Sequence, residues 1–319
     1  MMMVVTGAAG FIGSHLVDRL LQDGHRVVGV DNLSRGTREN LETALAHPGF
    51  TFIAADVAEP EGLTAQVAAA AGPADIVWHL AANSDIAAGV ADVRIDLRDT
   101  FMTTHGAVEI AKATGAKRIA FASTSAVYGA HPEPLVETHG PMLPISNYGA
   151  MKLAGEALVS AAVESDLEQA WIFRFPNVVG DRATHGVIND LFLKLKRDPN
   201  ELEVLGDGKQ QKPYLHVSDL IEAMLFIVAN GGRDPRQIYN IGPEDEGFDV
   251  AGIAAGVIAA SKTGARIRYT GGDRGWVGDV PRFTYSVDKL ARLGWRPTMS
   301  SAEAVARAIR EVAVQRGFA

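Results

Sequence analysis

The sequence predicts an α/β fold, a doubly wound parallel sheet followed by a smaller C-terminal α/β lobe. Three observations carry the prediction. Short β-branched runs alternate with longer helical segments through the first half, a glycine-rich turn follows the first run, and the alternation decays past Asn177. The runs are continuously apolar, which is what a sheet covered on both faces requires.

Strands are expected at MMVVT (2–6), HRVVGV (25–30), TFIAA (51–55), DIVWHLA (75–81), RIAFAS (118–123) and AWIFRF (170–175). The segments between them, FIGSHLVDRLLQ (11–22), GLTAQVAAAA (62–71), TFMTTHGAVEIAKA (100–113) and YGAMKLAGEALVSAAV (148–163), carry helical periodicity. Asp23-Gly24 and Thr114-Gly115 mark helix ends, where a left-handed residue is needed. Later, VINDLFLKLK (187–196), VSDLIEAMLFIVAN (217–230) and SAEAVARAIREVAVQR (301–316) read as helices. ELEVLGDGKQQKPYLHV (201–217) reads as strand, tight turn and strand, and QIYNIG (237–242) as extended. The expected division is a nucleotide-binding lobe, 1–176, and a mainly substrate-binding lobe, 177–319, with some segments returning to the first.

Composition narrows the function. A net charge of −8 over 319 residues disfavours nonspecific binding to nucleic acid or to an anionic membrane. The absence of cysteine excludes disulfides, thiolate catalysis and zinc–thiolate sites. The chain opens MMMVVTG, straight into an expected strand, without a basic leader, and no apolar run is long enough to span a bilayer. A cytoplasmic enzyme is the expectation. No histidine pair stands at ligand spacing, so His79, His185 and His216 are given structural roles and no metal is expected.

Gly7, Gly10 and Gly13 form GAAGFIG between the first strand and its helix. Glycines there let the backbone turn tightly and approach a pyrophosphate, which the helix N-terminus stabilises. The spacing is GxxGxxG rather than GxGxxG, and three glycines in seven residues often form just a turn, so the residues that follow must give it weight. Asp31 ends the second strand, where a carboxylate accepts bonds from an adenosine ribose and repels a 2′-phosphate. NAD is therefore favoured, although Arg35 and Arg38 keep NADP open. Asp56 is either an adenine contact or a strand-end cap. Leu80, Ala81 and Ala82 end the fourth strand with residues small enough for a cofactor to lie against. Phe11, Ile12, Asn32, Val57 and Pro176 complete the expected NAD site. Gly7, Asp31, Asp56, Ala81, Thr124 and Asn177 all fall at or just past strand ends, where ligands bind in such sheets.

Thr124 closes the fifth strand in Ser123-Thr124-Ser125, and Tyr148 and Lys152 open the next helix at i, i+4, on one face. A lysine and a positive nicotinamide ring beside a phenol favour phenolate and let it act as a base. The YxxxK spacing alone is common on amphipathic helices; the cofactor signature upstream gives it weight.

Together, TGAAGFIGSHL (6–16), VDNLS (30–34), HLAA (79–82), FASTSAVYG (121–129), PISNYGAMKLAGE (144–156), RFPNVVG (174–180), LEVLGDGKQQKPYLHVSDL (202–220), GDVP (278–281) and LGWRPTMS (293–300) resemble the extended short-chain dehydrogenase/reductase family. The resemblance is to its NDP-sugar epimerase/dehydratase group, and the later stretches look most like compact UDP-galactose (UDP-glucose) 4-epimerases. It implies that Tyr148 removes the proton of the sugar 4-hydroxyl while C4 gives hydride to NAD. The 4-keto sugar then turns and takes hydride on its opposite face. Thr124 matches the catalytic Ser/Thr, and Ser125, Asn177, Lys212 and Arg274 fall at substrate positions. A homodimer through the helices around 100–113 and 147–163 is also implied.

Departures sharpen the reading. Dehydratases of this group carry an Asp-Glu pair after the threonine, and UDP-glucuronate decarboxylases a Glu before VYG; here Ser125 and Ala126 stand there. Elimination thus lacks its acid/base pair, and epimerisation leads. Lys212 replaces a usual arginine, Trp276 stands where another is usual, and Thr100 replaces a usual asparagine. Phe283 aligns with a gate residue and disfavours N-acetylhexosamines. A UDP-glucuronate 4-epimerase, a net NAD(P)H-dependent 4-keto-sugar reductase and a silent NAD-binding regulator remain as alternatives.

Overall fold

The structure, a computed structural model, describes residues 1–131, 134–272, 283–284 and 286–318. Seven parallel strands form the central sheet: β1 (Met2–Thr6), β2 (Arg26–Asp31), β3 (Phe50–Ala54), β4 (Ile76–His79), β5 (Arg118–Thr124), β6 (Gln169–Phe175) and, from far along the chain, β11 (Arg236–Asn240). Their order is β3-β2-β1-β4-β5-β6-β11, so the winding reverses beside β1, which pairs with β2 on one side and β4 on the other. This is the Rossmann arrangement, and the reversal opens a crevice at the carboxyl edge.

Burial explains why the strand runs were legible. Along β1, Met3 and Val5 enter one core and Met2 and Val4 the other, as the two-residue period of a strand dictates. One face is covered by α1 (Phe11–Gln22), the short α2 (Glu42–Leu45), α9 (Val217–Asn230) and α11 (Asp288–Leu293). The other is covered by α3 (Leu63–Ala71), α6 (Thr103–Thr114) and α7 (Asn147–Ala162). Helix α9 and strand β11 lie in the C-terminal half of the sequence yet build the first core.

Two regions depart from the sequence expectation. The stretch 83–99, where no element is expected, contains α4 (Ile86–Ala91), followed by α5 (Val93–Asp96) and a π-helical turn, Leu97–Met102, that leads into α6. Asp85 and Asp92 cap the two short helices, accepting from the N–H groups of Ala88 and Arg94. Those caps satisfy orphan donors that periodicity alone does not register.

The expected strand–turn–strand at 201–217 also differs. β8 (Glu201–Val204) pairs with β13 (Arg266–Tyr269), β9 (Gln211–Lys212) with β12 (Phe248–Asp249), and β10 (Tyr214–His216) with β7 (Asn177–Val179). Gly206 and Gly208, both at positive φ, carry the chain out of line with β8, so each later strand meets a different partner. These pairs surround a separate core formed by α8 (Val187–Arg197), α10 (Val250–Ser261) and α12 (Ser301–Gln315), centred on Phe192, Val257 and Ala308. A full capping box at Ser300 and Glu303 fixes the start of α12.

Candidate functional site

The carboxyl ends of β1 to β6 open onto one cleft of about 1010 Å³ that runs from the glycine turn to the second lobe. The six strand-end positions picked out from the sequence, Gly7, Asp31, Asp56, Ala81, Thr124 and Asn177, all line it. So do Phe11, Ile12, Asn32, Val57, Leu80, Ala82, Ser125, Pro176 and Lys212. Arg274, with Trp276 and the GDVP stretch, lies outside the described residues.

The glycine turn is built for close approach. Gly7 has a positive φ, and a Cβ on it would stand 2.7 Å from the Ala81 backbone nitrogen, across the crevice between β1 and β4. A Cβ on Gly13 would stand 1.9 Å from the Gly7 carbonyl oxygen, so α1 can rest on the turn only without a side chain there. Gly10 caps α1 with no side-chain acceptor, which leaves the helix N-terminus to face an anion. This cradle fits a dinucleotide pyrophosphate.

Asp31 does two things at once. Its Oδ2 accepts from the Ala9 N–H at 3.0 Å and its Oδ1 from the Leu33 N–H at 2.8 Å. It therefore braces the glycine turn from the cleft wall. Burial pushes its carboxyl above the ordinary range, outweighing the backbone bonds that pull it down. Asp56 accepts from Asn32 Nδ2 at 3.1 Å, Arg98 Nη2 at 2.7 Å and the Ala58 N–H at 2.9 Å. Burial raises its carboxyl, but these bonds outweigh it and hold the group below the usual range. Arg35 is bound by Asp85 at 2.8 Å, and Arg38 lies over the Phe52 ring. Both arginines left open for a 2′-phosphate are thus engaged within the protein.

Ser146 caps α7 by accepting from the Gly149 N–H at 3.1 Å, which sets Tyr148 in the first turn. Lys152 follows one turn later, only 2% exposed, and its Nζ donates to the Ala122 carbonyl of β5 at 2.7 Å. That ammonium lies 4.9 Å from the Phe121 ring centroid and 6.0 Å from that of Tyr148. Thr124 ends β5 and accepts from the Ala126 N–H at 3.2 Å. Thr124, Tyr148 and Lys152 are therefore brought together at the edge of the cleft.

Burial dominates the electrostatics of Tyr148 and Lys152. Burial, then the charge of Asp96, pushes the Tyr148 phenol well above its ordinary range, and Thr124's hydrogen bond only partly offsets this. Burial pulls Lys152 down to about 7, against the charges of Glu156 and Asp96. Desolvation is the largest influence on both groups.

Residues that sequence reasoning passed over stand behind this pair. Glu156, one turn past Lys152, accepts from Arg174 at 2.9 and 2.6 Å and from the Ser123 hydroxyl. Arg174 donates to the Tyr128 hydroxyl at 3.0 Å, which donates to Asn240 Oδ1 at 2.7 Å. Tyr128 is thus a member of a buried network linking β5, β6, α7 and β11. The signal was present, since Glu156 shares the helix face of Tyr148 and Lys152. His79 is fixed between the Thr6 and Thr104 hydroxyls at 2.7 and 3.1 Å, and burial keeps its ring neutral. Phe283 lines the cleft and packs on Val127 and Tyr128.

The chain is similar along its length to nucleotide-sugar epimerases and a dehydratase. Over 316 residues, 96% of each chain, the protein is 31% identical to a UDP-glucose 4-epimerase of Mycolicibacterium smegmatis. A crystal structure of a UDP-galactose 4-epimerase superposes with a TM-score of 0.85 at 37% identity, covering 99% of both chains. DesIV, a dTDP-glucose 4,6-dehydratase of Streptomyces venezuelae crystallised with NAD and TYD, superposes with a TM-score of 0.86 at 28% identity, covering 100% of this chain and 98% of its own. The NAD dependent epimerase/dehydratase family model matches residues 3–242. The chain belongs to that family, and its cofactor is NAD.

Proposed function

We propose that the protein is an NDP-sugar 4-epimerase acting on a UDP-hexose, with UDP-glucose and UDP-galactose as its substrate pair. The observation that carries the reading is the neighbourhood of Thr124. The two residues after it are Ser125 and Ala126, so the Thr124–Tyr148–Lys152 group has proton-transfer machinery with no carboxyl at the two positions that follow Thr124. A 4,6-dehydratase or a decarboxylase needs such an acid/base partner. Similarity to epimerases of UDP-glucose and UDP-galactose supports the same choice.

In this reading Asn177 and Lys212 hold the diphosphate from the second lobe, and Arg274 is a further candidate. Thr124 orients the sugar 4-hydroxyl, and Tyr148 takes its proton as the C4–H bond breaks. NAD, when bound beside Tyr148, would supply hydride-transfer chemistry at C4 and a positive ring that favours phenolate. Tyr148 then gives the proton back to the oxygen at C4. Lys152, fixed to Ala122, keeps the phenol oriented and opposes its negative charge.

The test is direct. Purified protein with NAD should interconvert UDP-glucose and UDP-galactose with no net build-up of reduced nicotinamide. If no UDP-sugar changes configuration, the reading fails; stoichiometric consumption of NAD(P)H would establish a 4-keto-sugar reductase instead. We further propose a homodimer through α6 and α7. Exposed Leu97 stands just before α6, and exposed Leu143 and Ile145 just before α7, which supports burial of that face against a second copy.

A further inference from the structure

Behind the wall of the cleft is a carboxyl group that none of the steps above uses. Asp96 ends α5 and is 0% exposed. Its Oδ1 accepts from Asn83 Nδ2 at 2.9 Å and from the Thr100 hydroxyl at 3.3 Å. Its Oδ2 is buried and has no hydrogen-bond partner among the described residues. Asn83 and Thr100 are buried too, and the Asn83 N–H donates to the Thr100 hydroxyl at 3.2 Å. A polar atom left unpaired inside a protein costs roughly 1–3 kcal/mol, so such a group calls for a reason.

The packing carries this carboxyl to the start of α7. Oδ2 lies against Gly89 of α4, where a Cβ would stand 1.8 Å away. Gly89 is in turn fastened to α7, because Asn147 Nδ2 donates to its carbonyl oxygen at 2.8 Å. Asn147 directly precedes Tyr148. The π-helical turn Leu97–Met102 begins at the residue after Asp96; such turns are rare and are common at functional sites. The charge of Asp96 acts on Tyr148 and Lys152 alike.

The other charged groups around it are few. Asp99 from the π-helical turn and Asp85 from the loop after β4 both face Asp96. From α7 come Tyr148 and Lys152, and α4, IAAGVA, has no titratable side chain. Beyond Lys152, Glu156 is bound to Arg174 and His79 is kept neutral by burial.

We propose that Asp96 is a positioning residue whose buried charge sets the pH window in which the Tyr148–Lys152 pair works. The inference rests on the reading of Tyr148 as the proton-transfer group. A negative charge favours the protonated form of every neighbour. It therefore keeps the Lys152 ammonium charged in a dry site and holds back ionisation of Tyr148. The active pair needs an ionised Tyr148 and a protonated Lys152, so the charge moves both limbs of the pH profile upward. Burial raises the carboxyl of Asp96 itself, against the bonds from Asn83 and Thr100, so its influence grows as pH rises.

The experiment is an Asp96→Asn variant, which keeps the volume and removes the charge. Phenolate absorbance is titrated in wild type and variant, each as a difference from its Tyr148→Phe counterpart, alongside the pH profile of turnover. The Tyr148 titration and both limbs of the profile should move to lower pH by about 1 unit. An unchanged or upward-shifted phenolate titration overturns the proposal. If circular dichroism shows that Asp96→Asn does not fold, Asp96→Ser decides by the same titration, because it also removes the charge. A shift to lower pH sustains the proposal, and no shift ends it. The phenolate titration needs no sugar, so its outcome is separate from any failure to find an epimerised substrate.

Discussion

Lys152 is the residue at which stability and chemistry are most opposed. Its ammonium is 2% exposed and is drawn down to about 7 by burial, whereas an unfolded lysine holds its proton to about pH 10. Between those limits the unfolded chain binds the extra proton, so this residue makes stability rise with pH from about 7 upward and lowers it at neutrality. Lys152→Met should therefore melt higher than wild type at neutral pH, by about 1–4 kcal/mol, lose that slope and abolish turnover. A variant that melts lower would sink this account. The pair Tyr148 and Lys152 was legible because i, i+4 spacing is a local property of a helix. Asp96 was not, because its effect on them depends on a fold that brings α4 and α5 against α7.

Helix α7 is where local sequence and tertiary contacts meet. Ser146 starts it, and the face holding Tyr148, Lys152 and Glu156 is fixed by bonds to β5 and β6. Glu156 and Arg174 are 6% and 1% exposed at their side chains, so removing one partner strands the other in the core. Glu156→Gln should cost about 3–5 kcal/mol in denaturant unfolding, and a loss under about 1 kcal/mol would show the pair to be no stronger than a surface bridge. The start of α1 is equally demanding. Gly13→Ala places a methyl on the Gly7 carbonyl, and overpacking of this kind costs about 1–3 kcal/mol. We expect the variant to melt lower and to lose NAD binding by calorimetry; unaltered NAD affinity would refute the close-approach role of that glycine. Strands β1 to β6 were placed within a few residues because continuous apolar runs mark a doubly covered sheet. The two-residue strands β9 and β12 were not, since a pair that short is defined by its partner.

At the scale of the whole molecule, the cleft exists because the chain does not finish one lobe before starting the other. Helix α9 packs against the sheet face that holds α1, β11 extends the central sheet beside β6, and the chain then returns to the second lobe through α10, β13 and α12. The proposed dimer belongs to this scale as well. Sedimentation at micromolar concentration should give twice the 33.9 kDa chain mass, and charged substitutions at Leu97 and Ile145 should shift it to monomer. A wild-type monomer would refute the assembly. Among the described residues no helix is long and apolar enough to cross a membrane.

By itself the sequence determined the Rossmann architecture, the glycine cradle, and the residues that meet at the strand ends. Each of these is written in short-range pattern: apolar runs, glycine spacing, and a tyrosine and lysine one helical turn apart. Only the tertiary structure decided which groups stand behind them. It placed the Asp96 carboxyl near Tyr148, tied Glu156 to Arg174, and set two capped helices, α4 and α5, against α7. Those outcomes depend on burial and on contacts between distant segments. Desolvation and Coulomb forces act through space, and spacing along the chain does not encode them.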